Sequence, residues 1–408
     1  MSAQELFDRI KAHRSSVRIN QRLAAYGVAA SACSFVDESV LHELALHYAD
    51  CAAQAGPPAL LALYAADQAL ANARLNIDSV KRKGLFVASN KQAMEAEDLF
   101  ALAQHLDPLS GKINLDSFLT LEQHNPDAHF HRRQDTAAAL LADRFGIDDV
   151  IMTPSDACAA GGVSVGMAYQ HIASGKLDAA LAGAAETMCS YIPVLSFAVL
   201  GALAPQAAGV VPEAISRPFD KARNGFVMGD GSAILVLEAE EHALARGAKI
   251  LGYISGFSKH TEAWRITSSR QDGSDYARCM RDAITDAGLS LEDIDHINAH
   301  GTSTEQNDSC ESMAIKKLFA SRAASIPVTS NKSAIGHSLA ASGAIEAAMS
   351  ILSLHHQMLL PTLNYQAPDD DTAGIDVVKT ATAAPIRHVL SNSFGFGGEN
   401  SALVMSAV

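Results

Sequence analysis

Paired cysteines are missing from this sequence. Its six cysteines form no Cys-x-x-Cys unit and keep no regular spacing, which is not the pattern of a disulfide framework. No signal-like segment or long apolar run opens the chain, so neither export nor membrane spanning is expected. Basic residues are short as well: 31 Lys and Arg against 45 Asp and Glu leave a formal charge of -14, which argues against nucleic acid as a general partner. A reduced, cytoplasmic enzyme fits these absences. At 408 residues the chain exceeds the usual single domain, so two domains or two fused halves are expected.

The stretch that organises the rest is Thr153-Pro154-Ser155-Asp156-Ala157-Cys158-Ala159-Ala160-Gly161-Gly162. An apolar strand, Val150 to Thr153, leads into it and a small-residue helix, about Gly161 to Ile172, leads out. Cys158 therefore sits on a sharp strand-to-helix turn. A thiol attacks only as thiolate, and a helix N-terminus with unpaired N–H groups favours that anion and can cradle an oxyanion. A single such cysteine is more simply a small buried hydrophobe, so its meaning depends on partners elsewhere.

The first forty residues read as helical, with a basic face from Arg9 to Arg22, and two helices or one broken helix follow between Leu41 and Ala73. Lys81-Arg82-Lys83-Gly84 turns into the buried strand Leu85–Ala88, and helices are expected over Ala93–His105 and Thr136–Phe145. His129 and His131, with no carboxylate or cysteine set beside them, suit a surface better than a metal. Strand Ala179–Glu186, the uncharged run Tyr191–Ala204, strand Ala233–Leu237 and helix Glu240–Arg246 complete a first half. The second half alternates strands at Ile250–Phe257, Ile294–Ala299, Ile326–Thr329 and Val389–Asn392 with helices over Asp275–Ala287, around Asp308 and Glu311, and over Ser338–His355. Such alternation predicts an α/β fold with parallel strands and a site at strand C-terminal ends, divided as residues 1–246 and 247–408.

His300 and His337 each follow an apolar strand and precede small residues, the same setting as Cys158. A histidine at a strand end is often structural. Three reactive side chains in one kind of setting instead suggest a single Cys-His-His crevice.

These residues carry a resemblance. The chain resembles the condensing enzymes of the thiolase superfamily, and within them a β-ketoacyl-acyl carrier protein synthase of type II. Asp156-Ala157-Cys158 matches the nucleophile turn, Asn298-Ala299-His300-Gly301-Thr302-Ser303-Thr304 the first histidine motif, and Asn331-Lys332-Ser333 with Gly336-His337 the lysine and second histidine. Asn392-Ser393-Phe394-Gly395-Phe396-Gly397-Gly398 matches the gate loop. A degradative thiolase would carry a C-terminal Cys-x-Gly motif, whereas the last cysteine here is Cys310; an initiating type III synthase would carry asparagine at His337.

The resemblance implies a thiolase-like fold of two related halves layered α-β-α-β-α. It implies that Cys158 is acylated, that the N–H groups of Cys158 and Phe396 hold the oxyanion, and that His300 and His337 stabilise the enolate formed when malonyl thioester loses carbon dioxide. Lys332, paired with Glu311, would hold the histidines' surroundings, with Asp308 in support. Phe394 and Phe396 would gate the second substrate, and Phe197 would limit the acyl pocket. Acyl carrier protein is the implied partner, in a homodimer or a heterodimer with a second ketosynthase-like subunit, and no metal or organic cofactor is required.

Four departures stand out. Relatives open with a strand and glycine turn at the centre of the first sheet, comparable to Ile250–Phe257 in the second half, where this chain has a helix from Ser2 onward. The basic cluster that meets an acidic carrier is replaced by Tyr48-Ala49-Asp50, Ala53-Gln54, Glu122-Gln123 and Gly201, leaving Arg132, Arg133, Lys81 to Lys83 or a partner subunit as substitutes. Glu305 stands where proline is usual, and Glu399 where threonine is usual. Two functions follow: an elongating synthase for fatty acids or a polyketide, or a chain-length-factor-like subunit of a type II polyketide (for example aryl polyene) heterodimer. Cys158 favours the first and the missing basic surface the second.

Overall fold

Small residues set the centre of the molecule. In the computed structural model, which describes residues 1–90, 96–114, 116, 133–207 and 209–408, two helices cross where glycines leave no side chain between them. A Cβ on Gly161 would lie 2.5 Å from the Ala340 carbonyl oxygen, and one on Gly343 would lie 2.6 Å from the Gly162 nitrogen. These glycines therefore bring two backbones into direct contact, one from each half of the chain.

Around that crossing lie two sheets. The first holds β1 (Lys83–Ala88), β2 (Val150–Met152), β3 (Ala179–Glu186) and β4 (Gly231–Glu238) in the order β2-β1-β3-β4, parallel except for β4. The second holds β5 (Tyr253–Thr261), β6 (His296–Asn298), β7 (Pro327–Thr329), β8 (Asp376–Val377), β9 (His388–Phe394) and β10 (Glu399–Ser406) in the order β8-β7-β6-β9-β10-β5. Their pairings correspond: β2, β1, β3 and β4 repeat as β7, β6, β9 and β10, with the antiparallel pair β3/β4 matching β9/β10.

The crossing helices, α2 (Ala160–Ala173) and α6 (Ser342–His356), lie between the sheets. Helix α1 (Pro57–Ala73) covers the outer face of the first sheet, and α4 (Ser274–Asp286) with α5 (Glu305–Phe319) the outer face of the second. The remaining labelled helix, α3 (Tyr191–Val199), follows β3. With both faces covered, β3 reads Ala-Ala-Leu-Ala-Gly-Ala-Ala-Glu and is buried at every position. The layers are α-β-α-β-α. Outer cores gather on Leu63, Leu85 and Leu141 in the first half and on Met280, Ile297 and Ile315 in the second.

Two expectations need correction. The first forty residues are not wholly helical: only Ala3–Lys11, Gln21–Ala25 and the start of Glu38–His47 are, and Arg18–Ile19 and Ala32–Ser34 join Met228–Gly229 in a small sheet. Ser2 caps the first helix reciprocally with Glu5, which is why helix begins there. The second-half strand expected at a sheet centre is β5, and it lies at the edge, beside β10. By correspondence its first-half position is the outer edge of β4, where no strand pairs among the described residues. A groove of about 850 Å³ runs there between Leu61, Ala65 and Ala69 on α1 and Ile345 and Ala348 on α6. His129, His131, Arg132, Glu122 and Gln123 lie outside the described residues.

Candidate active site

Cys158 lies in a 3-10 turn, Ala157–Ala159, directly before α2. The turn forces Ala157 to φ 48°, a left-handed conformation that an alanine adopts only under local constraint. That constraint is visible: Lys259 on β5 forms an ion pair with Asp156, and Gly395 closes over the Cys158 nitrogen so tightly that a Cβ there would lie 3.1 Å away. The same turn recurs at Leu339–Ala341 before α6, with Leu339 at φ 44°, and the two turns pack against each other.

Cys158, His300 and His337 open onto one cavity of about 390 Å³, with Phe197, Phe394 and Phe396 also in its wall. The imidazoles of His300 and His337 stand 5.2 Å apart at 84°. Phe226 meets the His337 ring edge-on at 5.1 Å. Phe394 stacks on Tyr276 at 3.6 Å and lies 6.0 Å from His300, whereas Phe396 lies 6.2 Å from Phe197. Thus Phe394 is packed beside the histidine and Phe396 faces the ring at the pocket's other side.

Both histidines are buried, and burial, followed by the charge of Lys332, holds each well below its ordinary 6.5, so both are neutral at pH 7. Ser342 Oγ lies 2.9 Å from Nδ1 of His337 and accepts the Ser338 N–H at 3.0 Å. When the serine hydroxyl donates to Nδ1, the ring proton sits on Nε2. Burial pushes Cys158 up to about 11, against the opposing pull of Lys332 and of the N–H groups of Phe396 and Cys158 itself. Helix-terminus stabilisation, the expectation from sequence, is outweighed by desolvation. The two N–H groups nevertheless point at the sulfur, as an oxyanion cradle requires.

The lysine's partner is a correction. Lys332 pairs with Glu346 of α6 rather than with Glu311, and it donates to the His300 carbonyl oxygen at 2.7 Å. Glu311 accepts the N–H groups of His300 at 2.9 Å and Gly301 at 2.8 Å and the Asn392 amide at 3.0 Å. Asp308 accepts the N–H groups of Thr302 at 2.9 Å, Ser303 at 3.1 Å and Phe219 at 2.8 Å. Together they fix the backbone on which His300 stands. Glu346 and Ser342 were not found from sequence, and Asn392 only as part of the gate-loop match, although Glu346 is the single charge in the run Ser342–Ser353. Glu305 lines the cavity mouth just after the Thr304 cap, and Glu399 is held by Thr261 at 3.2 Å. Among the described residues no three His, Cys, Asp or Glu side chains gather as a metal site, and no helix is long and apolar enough to cross a membrane.

Of the cations that might replace the missing basic cluster, Arg82 is paired with Asp178 and Arg133 with Asp135.

Known sequences and structures agree on one family. Residues 5–243 match the β-ketoacyl synthase N-terminal domain and residues 251–366 its C-terminal domain. A putative polyketide β-ketoacyl synthase 1 of Streptomyces halstedii is 40% identical over 288 residues, covering 70% of this chain and 68% of that protein. A 3-oxoacyl-[acyl-carrier-protein] synthase 2 of Rhizobium meliloti is 44% identical over 250 residues, 61% of this chain and 59% of the relative. In structure, a type II polyketide synthase acyl-carrier protein in complex with its ketosynthase bound to the hexaketide matches with a TM-score of 0.87 and 32% identity, covering 100% of this chain and 96% of that one. The ishigamide ketosynthase/chain length factor follows at 0.84 and 30%, covering 99% and 95%.

Proposed function

Since the chain belongs to the β-ketoacyl synthase family, we propose that it is an elongating β-ketoacyl-acyl carrier protein synthase, a cytoplasmic acyltransferase of fatty acid or polyketide assembly. The observation that carries this reading is the convergence of Cys158 with two neutral imidazoles on one cavity. We place the boundary between its halves at residues 246/247, between β4 and β5.

In the first step the Cys158 sulfur attacks the acyl thioester carbon while the N–H groups of Cys158 and Phe396 take the oxyanion, and the cysteine's proton ends on the departing carrier thiol. In the second, malonyl carrier loses carbon dioxide, and the electron pair of the broken C–C bond is held as an enolate whose oxygen accepts from His300 and His337. Neutral histidines suit this task, because a neutral N–H donates without protonating the carbanion. The carbanion then attacks the acyl carbon, and the tetrahedral intermediate collapses to β-ketoacyl carrier. Cys158 leaves as thiolate and recovers a proton from solvent. Lys332, bound to the His300 carbonyl, positions that histidine, and Glu311 and Asp308 hold the loop beneath it. Phe394 and Phe396 gate the cavity, and Phe197 bounds its acyl end.

Intact-mass spectrometry of the purified chain with acyl-loaded carrier, beside Cys158→Ala, tests the reading. One acyl adduct on the wild type alone, discharged by malonyl carrier, is expected. The second reading, a shaping subunit in a heterodimer, draws on the likeness to a ketosynthase/chain length factor pair. It requires the adduct to appear only on a co-purifying homologue.

A further inference from the structure

The two histidines of the cavity are held in different ways. Nδ1 of His337 has Ser342 Oγ at 2.9 Å, whereas Nδ1 of His300 is buried with no hydrogen-bond partner among the described residues. A ring without such a partner takes its place from the rings it packs against. For His300 these are His337, 5.2 Å away at 84°, and Phe394, 6.0 Å away at 65°. The direction of the His300 imidazole is therefore fixed only as well as Phe394 is.

Phe394 in turn is stacked on Tyr276, with ring centres 3.6 Å apart and planes 17° from parallel. Tyr276 lies in the first turn of α4, is 5% exposed and lines the cavity. Its hydroxyl accepts from Ser269 Oγ at 3.0 Å and donates to Asn307 Oδ1 at 3.4 Å. Asn307 donates its side-chain N–H to Asp308 at 3.1 Å, and Asp308 is the carboxylate that holds the N–H groups of Thr302 and Ser303 just after His300. One buried tyrosine thus grips the ring beside His300 with its face and the loop that carries His300 with its hydroxyl. A side chain engaged at both places has lost its freedom before substrate arrives, as a preorganised donor requires of its surroundings.

We propose that Tyr276 is a positioning residue for the condensation step: stacked on Phe394 and tied to Asn307 and Asp308, it sets the direction in which the His300 imidazole meets the enolate oxygen. This role rests on the proposed synthase activity, since the direction of the His300 N–H governs a rate only when an enolate forms. Of the two gate phenylalanines, Phe394 is then the anchored one.

Tyr276→Ala should lower kcat for condensation by about tenfold and leave the KM for malonyl carrier unchanged. Acylation of Cys158 by a small N-acetylcysteamine thioester should proceed as in the wild type. Tyr276→Phe, which keeps the stack, should restore most of the rate. A double-mutant cycle separates positioning from general support of the fold. With His300→Ala, adding Tyr276→Ala should slow condensation no further; with His337→Ala the two losses should multiply. Equal further loss in both backgrounds, or wild-type condensation by Tyr276→Ala, overturns the positioning role. If Tyr276→Ala does not fold, Tyr276→Leu, which fills the space without a ring to stack, takes its place in the same cycle. A wild type that the small thioester fails to acylate overturns the synthase reading instead, and the ring is then followed directly. In protein labelled with carbon-13 at histidine Cε1, the His300 signal, identified by its loss in His300→Ala, should shift or broaden in Tyr276→Ala or Tyr276→Leu and stay near its wild-type position in Tyr276→Phe. A signal that none of these variants moves overturns the link between Tyr276 and His300.

Discussion

The ammonium of Lys332 meets the main-chain oxygen of His300 at 2.7 Å while neutralising Glu346 on the neighbouring helix α6. This one contact joins the two histidine motifs: His300 stands on the loop after β6, and Lys332 five residues before His337. Both members of the ion pair are 1% exposed or less, so neither can be rescued by water.

Lys332→Met should therefore destabilise the fold by about 3–5 kcal/mol, the cost of stranding a buried charge. Urea denaturation measures it. Lys332→Met with Glu346→Leu should recover most of that stability yet remain slow in condensation, because the His300 carbonyl has still lost its donor. Full recovery of condensation would show that the lysine has no positioning role.

Removing either proposed enolate donor should separate the two half-reactions. His300→Ala and His337→Ala should each retain acylation of Cys158 and lose condensation by about 10²–10³-fold, the usual effect of removing one donor to a developing oxyanion. Mass spectrometry reads the first half-reaction and carbon dioxide release the second. Equal loss in both would overturn the assignment.

Burial pushes Cys158 up to about 11, so the thiolate is a small fraction at neutral pH and grows steadily above it. Alkylation by iodoacetamide should accelerate ~tenfold per pH unit from pH 7 to 10, following thiolate fraction. A plateau near pH 8 would show that the backbone N–H groups and Lys332 outweigh desolvation after all.

Glu186, at the end of β3, offers a stability measurement. Burial raises it to about 8 from an ordinary 4.5, so the folded protein holds a proton that the unfolded chain has released. Its contribution to stability is present below 4.5 and is lost as pH rises towards 8. Against Glu186→Gln, the wild type should lose ~1.4 kcal/mol per pH unit between pH 5.5 and 7.5. Parallel stability curves would refute the shift.

The strand-helix alternation was legible because periodicity and turn residues report local structure, and β3, α2, α4 and β7 all lie within a few residues of their expected places. Cys158, His300 and His337 were legible because each sits at a strand end among small residues. What sequence could not reach was long-range pairing. Lys332 is 21 residues from Glu311 and 14 from Glu346, and only the crossing of α6 over the loop decides between them. Nor could the thiol's environment be read: a helix N-terminus is visible in sequence, but the burial that outweighs it comes from residues scattered along the chain, such as Leu23, Val194, Phe226 and Leu339, which pack around Cys158. The edge position of β5 was hidden for the same reason.

The turn that carries Cys158 exists twice, with Ala157-Cys158 in one copy and Leu339-Ala340 in the other, each strained in the same way and each starting a central helix. A duplicated fold thus keeps a disarmed version of its own nucleophile turn within the same molecule. Because alanine already occupies that place in the second turn, exchanging Cys158 for alanine should silence the sulfur while leaving the shape of the turn unchanged.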